Sequence, residues 1–240
     1  MRIVVTRPAK DAEAMAAALS KRGHDVLIHP LLEVVFRPLS SSQFHNASAL
    51  IVTSRNALRA LATSEVLTEA RALPVYCVGE ATAKYAAHLG FSRVHTGPGT
   101  AKSLADIILQ TPEIERQGEF LYLTGKHLAF DLEAALKAHG VNIRRVISYE
   151  THEAPETATR QIVEKLCESI DGVILMSPRT ASVFARALKK AKQSKAHHQF
   201  TCYCLSEAVA APLQQIADIT IRVAHKPSEA DLLALIDEAR

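Results

Sequence analysis

The sequence has no tryptophan, few aromatic residues and no long apolar run. Aromatic side chains make up 5% of its 240 residues, which disfavours a protein that stacks nucleic-acid bases. No stretch of about 18 uninterrupted apolar residues occurs, so we expect no membrane-spanning helix. The opening MRIVVTRP predicts a short strand rather than a secretory signal. With 48% hydrophobic and 22% charged residues, the chain is typical of a globular protein with a substantial core.

A strong charge imbalance and metal-binding cysteine patterns are also missing. The formal net charge of +3 is too mild for a nucleic-acid binder, but it suits a small anionic ligand. The cysteines form no CxxC pair and have no zinc-site spacing. They are Cys77, Cys167, Cys202 and Cys204. Cys202 and Cys204 alternate on a predicted strand, so we interpret them as core residues in a reducing, cytosolic setting.

The sequence motifs of common active sites are absent. No GxGxxG follows the first predicted strand, and no HExxH or GxSxG occurs. The segment GPGTAKS (97–103) lacks the glycine that a phosphate-binding loop has before its lysine. We interpret it as a turn with a helix cap at Thr100 or Ser103. His197 and His198 lie in a polar stretch that indicates a solvated helix end, not a metal site. These features argue against a nucleotide-using enzyme.

Short apolar runs rich in β-branched residues alternate with amphipathic helical segments. The predicted strands, each followed by a helix, are 3–6, 50–54, 74–79, 120–125, 172–177 and 200–206. Near-continuous apolar strands are what a parallel sheet covered on both faces requires. The sequence therefore predicts an α/β fold with parallel sheets flanked by helices.

Three segments recur later in the chain in the same order. ALSKRG (18–23) is similar to ALKAHG (135–140), VTSRNA (52–57) to MSPRTA (176–181), and YCVGEATA (76–83) to YCLSEAVA (203–210). Two similar α/β domains explain this most simply; the alternative is coincidence among alanine-rich helices. The segments 29–39 and 144–155 are extended and occupy equivalent places in the repeat. We expect them to pair as a two-stranded β linker.

The ends of the predicted strands are the expected ligand-binding edge, because ligands of open α/β sheets bind beyond the carboxyl ends of the strands. These ends carry hydroxyl, glycine and basic residues ahead of helix N-termini, which favours a ligand rich in carboxylate or phosphate. The candidate binding residues are Thr6, Arg7, Thr53, Ser54, Arg55, Gly79, Thr82, Gly125, Lys126, Ser177 and Arg179. For any single serine or threonine, a plain helix cap is the alternative.

Tyr149 differs from these residues because it lies in a predicted linker strand. A phenol at that place could donate a proton or a hydrogen bond to a leaving group. The alternative is a tyrosine selected for its β-propensity.

The ordered motifs together resemble one family. They are TRP (6–8), LIVTSRNAL (50–58), VGEATA (78–83), LTGKHLAFDLEAALKAHG (123–140), SYET (148–151) and MSPRTASVF (176–184). Over nearly the whole chain this order resembles the uroporphyrinogen-III synthases. The resemblance implies two α/β domains with the active site in the cleft between them. The first would comprise residues 1–35 and 152–240, the second residues 36–151, with linker strands at about 31–38 and 145–152.

The resemblance also implies an activity. Enzymes of this family are lyases that cyclise hydroxymethylbilane to uroporphyrinogen III, losing water and inverting ring D through a spiro intermediate, in tetrapyrrole and heme biosynthesis. They use no metal or organic cofactor. The resemblance implies a cytoplasmic monomer that binds neither nucleic acid nor membrane, with at most a transient contact with the preceding pathway enzyme. Tyr149 falls on the family's linker tyrosine, and Thr53, Ser54, Thr82 and Ser177 fall on its hydroxyl positions.

The chain departs from the family pattern at two places. LSEAVA (205–210) has Ser206 in place of a glycine and Val209 in place of a threonine, so we keep Ser206 as a candidate hydroxyl. Ala129 and Phe130 stand near the family's basic position after LTG, for which Lys126 or His127 would substitute. The departures indicate a divergent member, and a non-catalytic two-lobed protein that binds a tetrapyrrole is the alternative function.

Overall fold

The computed structural model describes residues 1–111, 118–128, 130–166, 170–191, 199–217 and 219–239. The strands are β1 (Arg2–Val5), β2 (Asp25–Ile28), β3 (Leu32–Phe36), β4 (Ala47–Val52), β5 (Val75–Cys77), β6 (Val94–Thr96), β7 (Glu119–Gly125), β8 (Ile143–Glu153), β9 (Gly172–Leu175), β10 (Thr201–Cys204) and β11 (Thr220–Val223). The helices are α1 (Ala9–Lys21), α2 (Arg55–Ala62), α3 (Leu67–Arg71), α4 (Glu80–His88), α5 (Ala101–Gln110), α6 (Leu132–Lys137), α7 (Glu156–Leu166), α8 (Pro178–Ala191), α9 (Glu207–Ala210) and α10 (Glu229–Asp237).

The chain folds into two compact units. Unit 1 comprises Met1–Glu33 and His152–Arg240, and unit 2 comprises Val34–Thr151. Each unit has its own sheet. Strands β3 and β8 carry the chain across the two boundaries and are neighbours in one sheet.

Unit 1 is a sheet in the order β11-β10-β9-β1-β2, with parallel pairing throughout. Its strands alternate their side chains between two apolar cores, because successive residues of a strand point to opposite faces. Val4 and Phe184 belong to the core shared with α7 and α8. Ile3 and Met15 belong to the core shared with α1 and α10. Burial on both faces explains the near-continuous apolar strands of the sequence.

Unit 2 repeats this plan with the order β3-β8-β7-β4-β5-β6. The pairs β4–β5, β4–β7, β5–β6 and β7–β8 are parallel. Helices α2, α3 and α4 cover one face, where Leu58 packs on Leu50 and its neighbours. Helices α5 and α6 cover the other, where Leu104 and Leu132 pack with Tyr122. The α/β class predicted from the sequence is confirmed, and the six predicted strands correspond to β1, β4, β5, β7, β9 and β10.

The strands that the sequence did not predict lie at sheet edges. They are β2, β6 and β11, and their side chains are mostly exposed or half-buried. An edge strand has one uncovered side, so it lacks the continuous apolar signature of a central strand. The helix expected from about residue 207 is only the single turn α9, followed by a 3-10 turn at Ala211–Leu213. Pro212 has no N–H to continue an α-helix.

The linker strands differ in length from the prediction. β8 begins at Ile143 because it pairs with β7 from Phe120 onward. The Arg37 N–H, just after β3, donates to the Ser148 carbonyl of β8 at 2.8 Å. Within the described ranges, no helix is long and apolar enough to cross a membrane.

Candidate functional site

The carboxyl end of β4 carries two hydroxyl side chains with different partners. Ser54 caps α2, because its Oγ accepts a hydrogen bond from the Asn56 N–H at 3.2 Å. The Oγ1 of Thr53 instead lies 3.1 Å from the phenol oxygen of Tyr122 on β7. Tyr122 is 1% exposed, so this contact links a half-buried threonine to a buried phenol.

A β-bulge positions Tyr149 at the same edge of the sheet. Thr124 of β7 pairs with Ile147, but Gly125 pairs with Tyr149, so Ser148 is an extra residue. Ser148 is fully buried, and its Oγ donates to the Thr124 carbonyl at 3.2 Å. A bulge redirects the side chains that follow it. The side chain of Tyr149 is thereby brought against the last residue of β7.

Gly125 leaves the space that the Tyr149 ring occupies. A Cβ at Gly125 would lie only 2.7 Å from Tyr149 Cζ and 3.0 Å from its Oη. Such close approach is a positional reason for glycine inside a strand. Gly125 was predicted as a binding residue, and within unit 2 its contact is with this tyrosine.

The phenol of Tyr149 is held neutral. Burial raises the pKa of the Tyr149 phenol, and nearby Tyr122 raises it further, while a hydrogen bond from Ser54 acts in the opposite direction. Ser54 is thus both the cap of α2 and a hydrogen-bonding neighbour of the Tyr149 side chain. A phenol that stays protonated at neutral pH can donate a proton.

The turn after β7 carries a cluster of charged residues. The Lys126 Nζ lies 3.2 Å from Glu150 Oε2, and Arg37 pairs with the other carboxylate oxygen of Glu150. The Glu150 side chain is 9% exposed, whereas those of Arg37 and Lys126 are each 52% exposed. Two half-exposed cations therefore share one nearly buried carboxylate. Arg145 adds a third cation, whose Nη2 donates to the Gly125 and Lys126 carbonyls at 3.0 and 2.7 Å.

Sequence reasoning missed Tyr122, Arg37, Glu150 and Arg145. Tyr122 occupies an ordinary apolar position of a buried strand and gives no signal. Arg145 and Glu150 did give one, because they are charged residues among the buried and half-buried positions of β8. Charged residues inside a strand covered on both faces are expected only where they have partners or a function.

The start of α4 is built from close backbone contacts. A Cβ at Gly79 would lie 3.2 Å from Gly99 Cα, and the Gly99 N–H donates to the Val78 carbonyl at 2.7 Å. Thr82 is 6% exposed, and its N–H donates to the Gly79 carbonyl at 3.1 Å. The backbone donor of Thr82 is thus already used within the protein. Thr100 caps α5 by accepting from the Ser103 N–H at 3.1 Å, as predicted for the GPGTAKS segment.

The strand ends of unit 1 also carry residues predicted from the sequence. Ser177 begins α8, where its Oγ accepts from the Thr180 N–H at 3.1 Å, and Arg179 is half-buried in the first turn. Ser206 precedes α9, and its side chain makes no capping hydrogen bond. Arg7 pairs with Glu229, Nη1 to Oε2, at 3.0 Å. In unit 2, Arg55 is the first residue of α2 and is half-buried.

Thr6 does not fit the role expected from the sequence. Its side chain is fully buried, and its Oγ1 donates to the Ile174 carbonyl of the neighbouring strand at 2.7 Å. The hydroxyl is therefore committed to joining β1 and β9, and we drop it from the binding residues. Thr6 and Thr53 each follow a strand in the sequence. Only the tertiary structure shows that Thr6 is fully buried whereas Thr53 is half-buried.

The described cysteines are core residues. Cys77, Cys202 and Cys204 are free and buried, and burial raises the pKa of the Cys77 and Cys204 thiols to about 12. This confirms the core role predicted for Cys202 and Cys204. Among the described residues, no group of histidine, cysteine and acidic side chains could hold a metal ion. Ala129, Cys167, His197 and His198 lie outside the described residues.

Comparisons with known proteins point to one family. A sequence model described as "Uroporphyrinogen-III synthase HemD" matches residues 13–234. The uroporphyrinogen-III synthase of Saccharomyces cerevisiae is 29% identical over 148 residues, which cover 54% of this chain and 54% of the yeast protein. The chain thus spans about half the length of this curated relative.

Two solved structures share the fold. The uroporphyrinogen-III synthetase of Helicobacter pylori 26695 superposes with a TM-score of 0.66 at 23% identity, covering 100% of both chains. A mutant uroporphyrinogen III synthase from the extremely thermophilic bacterium Thermus thermophilus superposes with a TM-score of 0.56 at 16% identity, covering 100% of this chain and 98% of the other. At these identities the likeness bears on the fold alone.

Proposed function

Because the chain belongs to the uroporphyrinogen-III synthase family, we propose that it converts hydroxymethylbilane to uroporphyrinogen III and water. The observation that carries the proposal is the Tyr149 phenol, which occupies the family's linker-tyrosine position. It packs on Gly125 at the carboxyl edge of the sheet and has Ser54 as a hydrogen-bonding neighbour. We place the reaction in tetrapyrrole biosynthesis.

The chemistry relies mainly on the substrate. Loss of the ring A hydroxyl, which takes up a proton and leaves as water, generates an electrophilic azafulvenium cation. The substituted carbon of ring D attacks it and forms a spiro intermediate. The bond from that carbon to the rest of the chain then breaks, and the ring closes again with ring D inverted. A final proton loss restores the pyrrole. Pyrrole electrons drive each step, so the protein must mainly favour this attack over direct closure by positioning.

Tyr149 supplies the proton that the leaving hydroxyl needs. The phenol is protonated at neutral pH, and a hydrogen bond from the Ser54 hydroxyl would stabilise the phenolate once the proton has left. Return of a proton from the final pyrrole would restore the phenol. Tyr149 is thus both the acid of the first step and a base for the last.

The acetate and propionate arms are bound by donors at the strand ends of each unit. The proposed binding residues are Arg7, Thr53, Ser54, Arg55, Gly79, Thr82, Gly125, Lys126, Ser177, Arg179 and Ser206. Helix N-termini with nearby hydroxyl and basic side chains favour carboxylates. Ser206, free of a capping bond, is the candidate that most needs a ligand partner.

The isomer composition of the product tests the proposal. Purified protein given freshly prepared hydroxymethylbilane should yield the type III isomer, because the spontaneous reaction closes the chain without inversion to the type I isomer. Formation of type I alone, at the spontaneous rate, would rule out the synthase. Tight binding of the porphyrinogen with no change in isomer ratio would instead identify the non-catalytic binding protein.

Two further features belong to the proposal and rest on the family. We propose that the enzyme is a cytoplasmic monomer that needs no metal or organic cofactor, with at most a transient contact with the enzyme that makes hydroxymethylbilane. Sedimentation of the purified protein tests the monomer. Turnover after dialysis against a chelator tests the metal requirement.

A further inference from the structure

Arg145 is a partly buried cation without a carboxylate partner among the described residues. Its Nη2 donates to the Gly125 and Lys126 carbonyls, but its Nε is buried and makes no hydrogen bond. Charged groups inside proteins are normally paired, because an uncompensated charge is costly to remove from water. The two carbonyls accept hydrogen bonds from one nitrogen of the guanidinium, but because they are neutral they do not compensate its positive charge.

The adjacent Arg144 shows what a structural arginine looks like on the same strand. Its Nε and Nη2 bind both carboxylate oxygens of Glu119 at 2.6 to 3.0 Å, and Nη2 also donates to the Gln43 carbonyl. Arg144 therefore has a complete set of internal partners. Arg145, one residue further along β8, has no such carboxylate in the part of the chain that the structure describes.

The surroundings of Arg145 carry an excess of positive charge. The Lys126 carbonyl that it binds belongs to the lysine that shares Glu150 with Arg37. Two half-exposed cations thus share one carboxylate, and Arg145 binds the backbone of one of them. Such a grouping attracts anions, and guanidinium groups suit the two oxygens of a carboxylate.

Gly125 joins this cation to the proposed catalytic phenol. The Gly125 carbonyl accepts from Arg145 at 3.0 Å, and the Cα of the same glycine lies against the Tyr149 ring. On β7, Tyr122 is the direct cross-strand partner of Arg145. Arg145 and Tyr149 thus both contact the last residue of β7, Arg145 from the sheet face of Tyr122 and Ile143 and Tyr149 from the face of Leu123 and Val146.

We propose that Arg145 is a substrate-binding residue that takes a carboxylate arm of the substrate, with Lys126 as its neighbour. This inference rests on the proposed function for the identity of the substrate. The ligand would supply the counter-charge that Arg145 lacks among the described residues.

Kinetics of the full-length protein test the assignment. Arg145→Gln should raise the KM for hydroxymethylbilane about tenfold or more, because a hydrogen bond to a charged group is lost, while the product stays type III. Arg145→Lys should recover part of the loss, since the charge remains but the planar fork does not. Arg144→Gln is the matched control and should leave KM unchanged. An unchanged KM in Arg145→Gln would overturn the proposal.

Chemical protection in the unmodified protein gives a second readout that folding defects cannot mimic. Phenylglyoxal should modify Arg145, and an excess of uroporphyrin I should slow that modification at least severalfold, with Arg144 serving as the internal control. Equal modification of Arg145 with and without uroporphyrin I would overturn the proposal. The proposed function fails separately, if the wild-type protein makes only the type I isomer.

Discussion

At the scale of single residues, the proposed chemistry depends on a phenol in a specific pocket. Tyr149 lies on a glycine that leaves room for its ring, and its oxygen is the neighbour of the Ser54 hydroxyl. A tyrosine phenol already carries its proton at neutral pH, and burial raises its pKa further. The side chain is therefore prepared as a proton donor before a substrate arrives.

Replacing the phenol tests that role. Tyr149→Phe should lower kcat by about 100-fold, because it removes a positioned proton donor and keeps the ring. The free energy of unfolding should change by only about 1 kcal/mol, the net worth of one hydrogen bond. Steady-state kinetics and urea unfolding measure both values. An unchanged kcat would remove Tyr149 from the mechanism.

The glycine beneath the ring gives a steric test. Gly125→Ala places a Cβ 2.7 Å from Tyr149 Cζ, so either the ring or β7 must move. We expect kcat to fall about tenfold or more, since displacement of a catalytic group by a fraction of an ångström is costly. Gly140→Ala is the control away from the site, because its Cβ would meet nothing within 4 Å and its positive φ affects stability rather than turnover. Full activity in Gly125→Ala would show that the ring position is not critical.

At the scale of elements, loops and bulges connect stability to the site. Ser54 ends the extended backbone after β4 and starts α2, and the same oxygen neighbours Tyr149. The bulge at Ser148 sets which face of β8 the tyrosine takes, because one extra residue shifts the alternation of side chains. Secondary structure thus fixes the orientation of the phenol.

Variants of two N-caps with similar geometry distinguish an effect on stability from an effect on catalysis. Ser54→Ala and Thr100→Ala each remove a side-chain cap and should each cost about 1 kcal/mol of stability. Only Ser54→Ala should also lower kcat, because only Ser54 neighbours the phenol. Thermal unfolding and turnover assays on both variants make the comparison. Equal activities would separate Ser54 from the chemistry.

At the scale of the whole molecule, both units are sheets covered on two faces, and this burial determines how the protein responds to alkali. Cys77 lies in the core of unit 2, and Cys202 and Cys204 lie in the core of unit 1. Burial raises the pKa of the Cys77 and Cys204 thiols to about 12 and that of Cys202 well above its ordinary value. These thiols ionise in the unfolded chain long before they do so in the folded one.

Stability should therefore fall as the pH rises from about 9 toward about 12. The folded pKa lies above the unfolded one, so the contribution is complete below the unfolded pKa and is lost above it. Each thiol adds a slope of about 1.4 kcal/mol per pH unit to the free energy of unfolding. Urea unfolding at about pH 8 and about pH 10 should show a smaller loss for the triple variant of these cysteines to alanine. Equal losses would exclude the thiols as the cause.

Much of the fold followed from the sequence because central strands have a recognisable pattern. The apolar runs of β4, β7 and β9 predict buried parallel strands, while β2, β6 and β11 escaped notice because edge strands are half-exposed. The site was harder to predict. Thr6 and Thr53 follow strands in the same way, but only one is sealed against a neighbouring carbonyl.

The amino-acid sequence alone determined the α/β class, the internal repeat, the family resemblance and Tyr149 as the residue to examine. All of these follow from local periodicity and ordered motifs. The tertiary structure alone decided that Gly125 makes room for that phenol, that Lys126 and Arg37 share the carboxylate of Glu150, and that Arg145 lacks a counter-charge among the described residues. Such pairings join residues far apart in the chain, and the physical forces that set them, steric fit and charge desolvation, act through space.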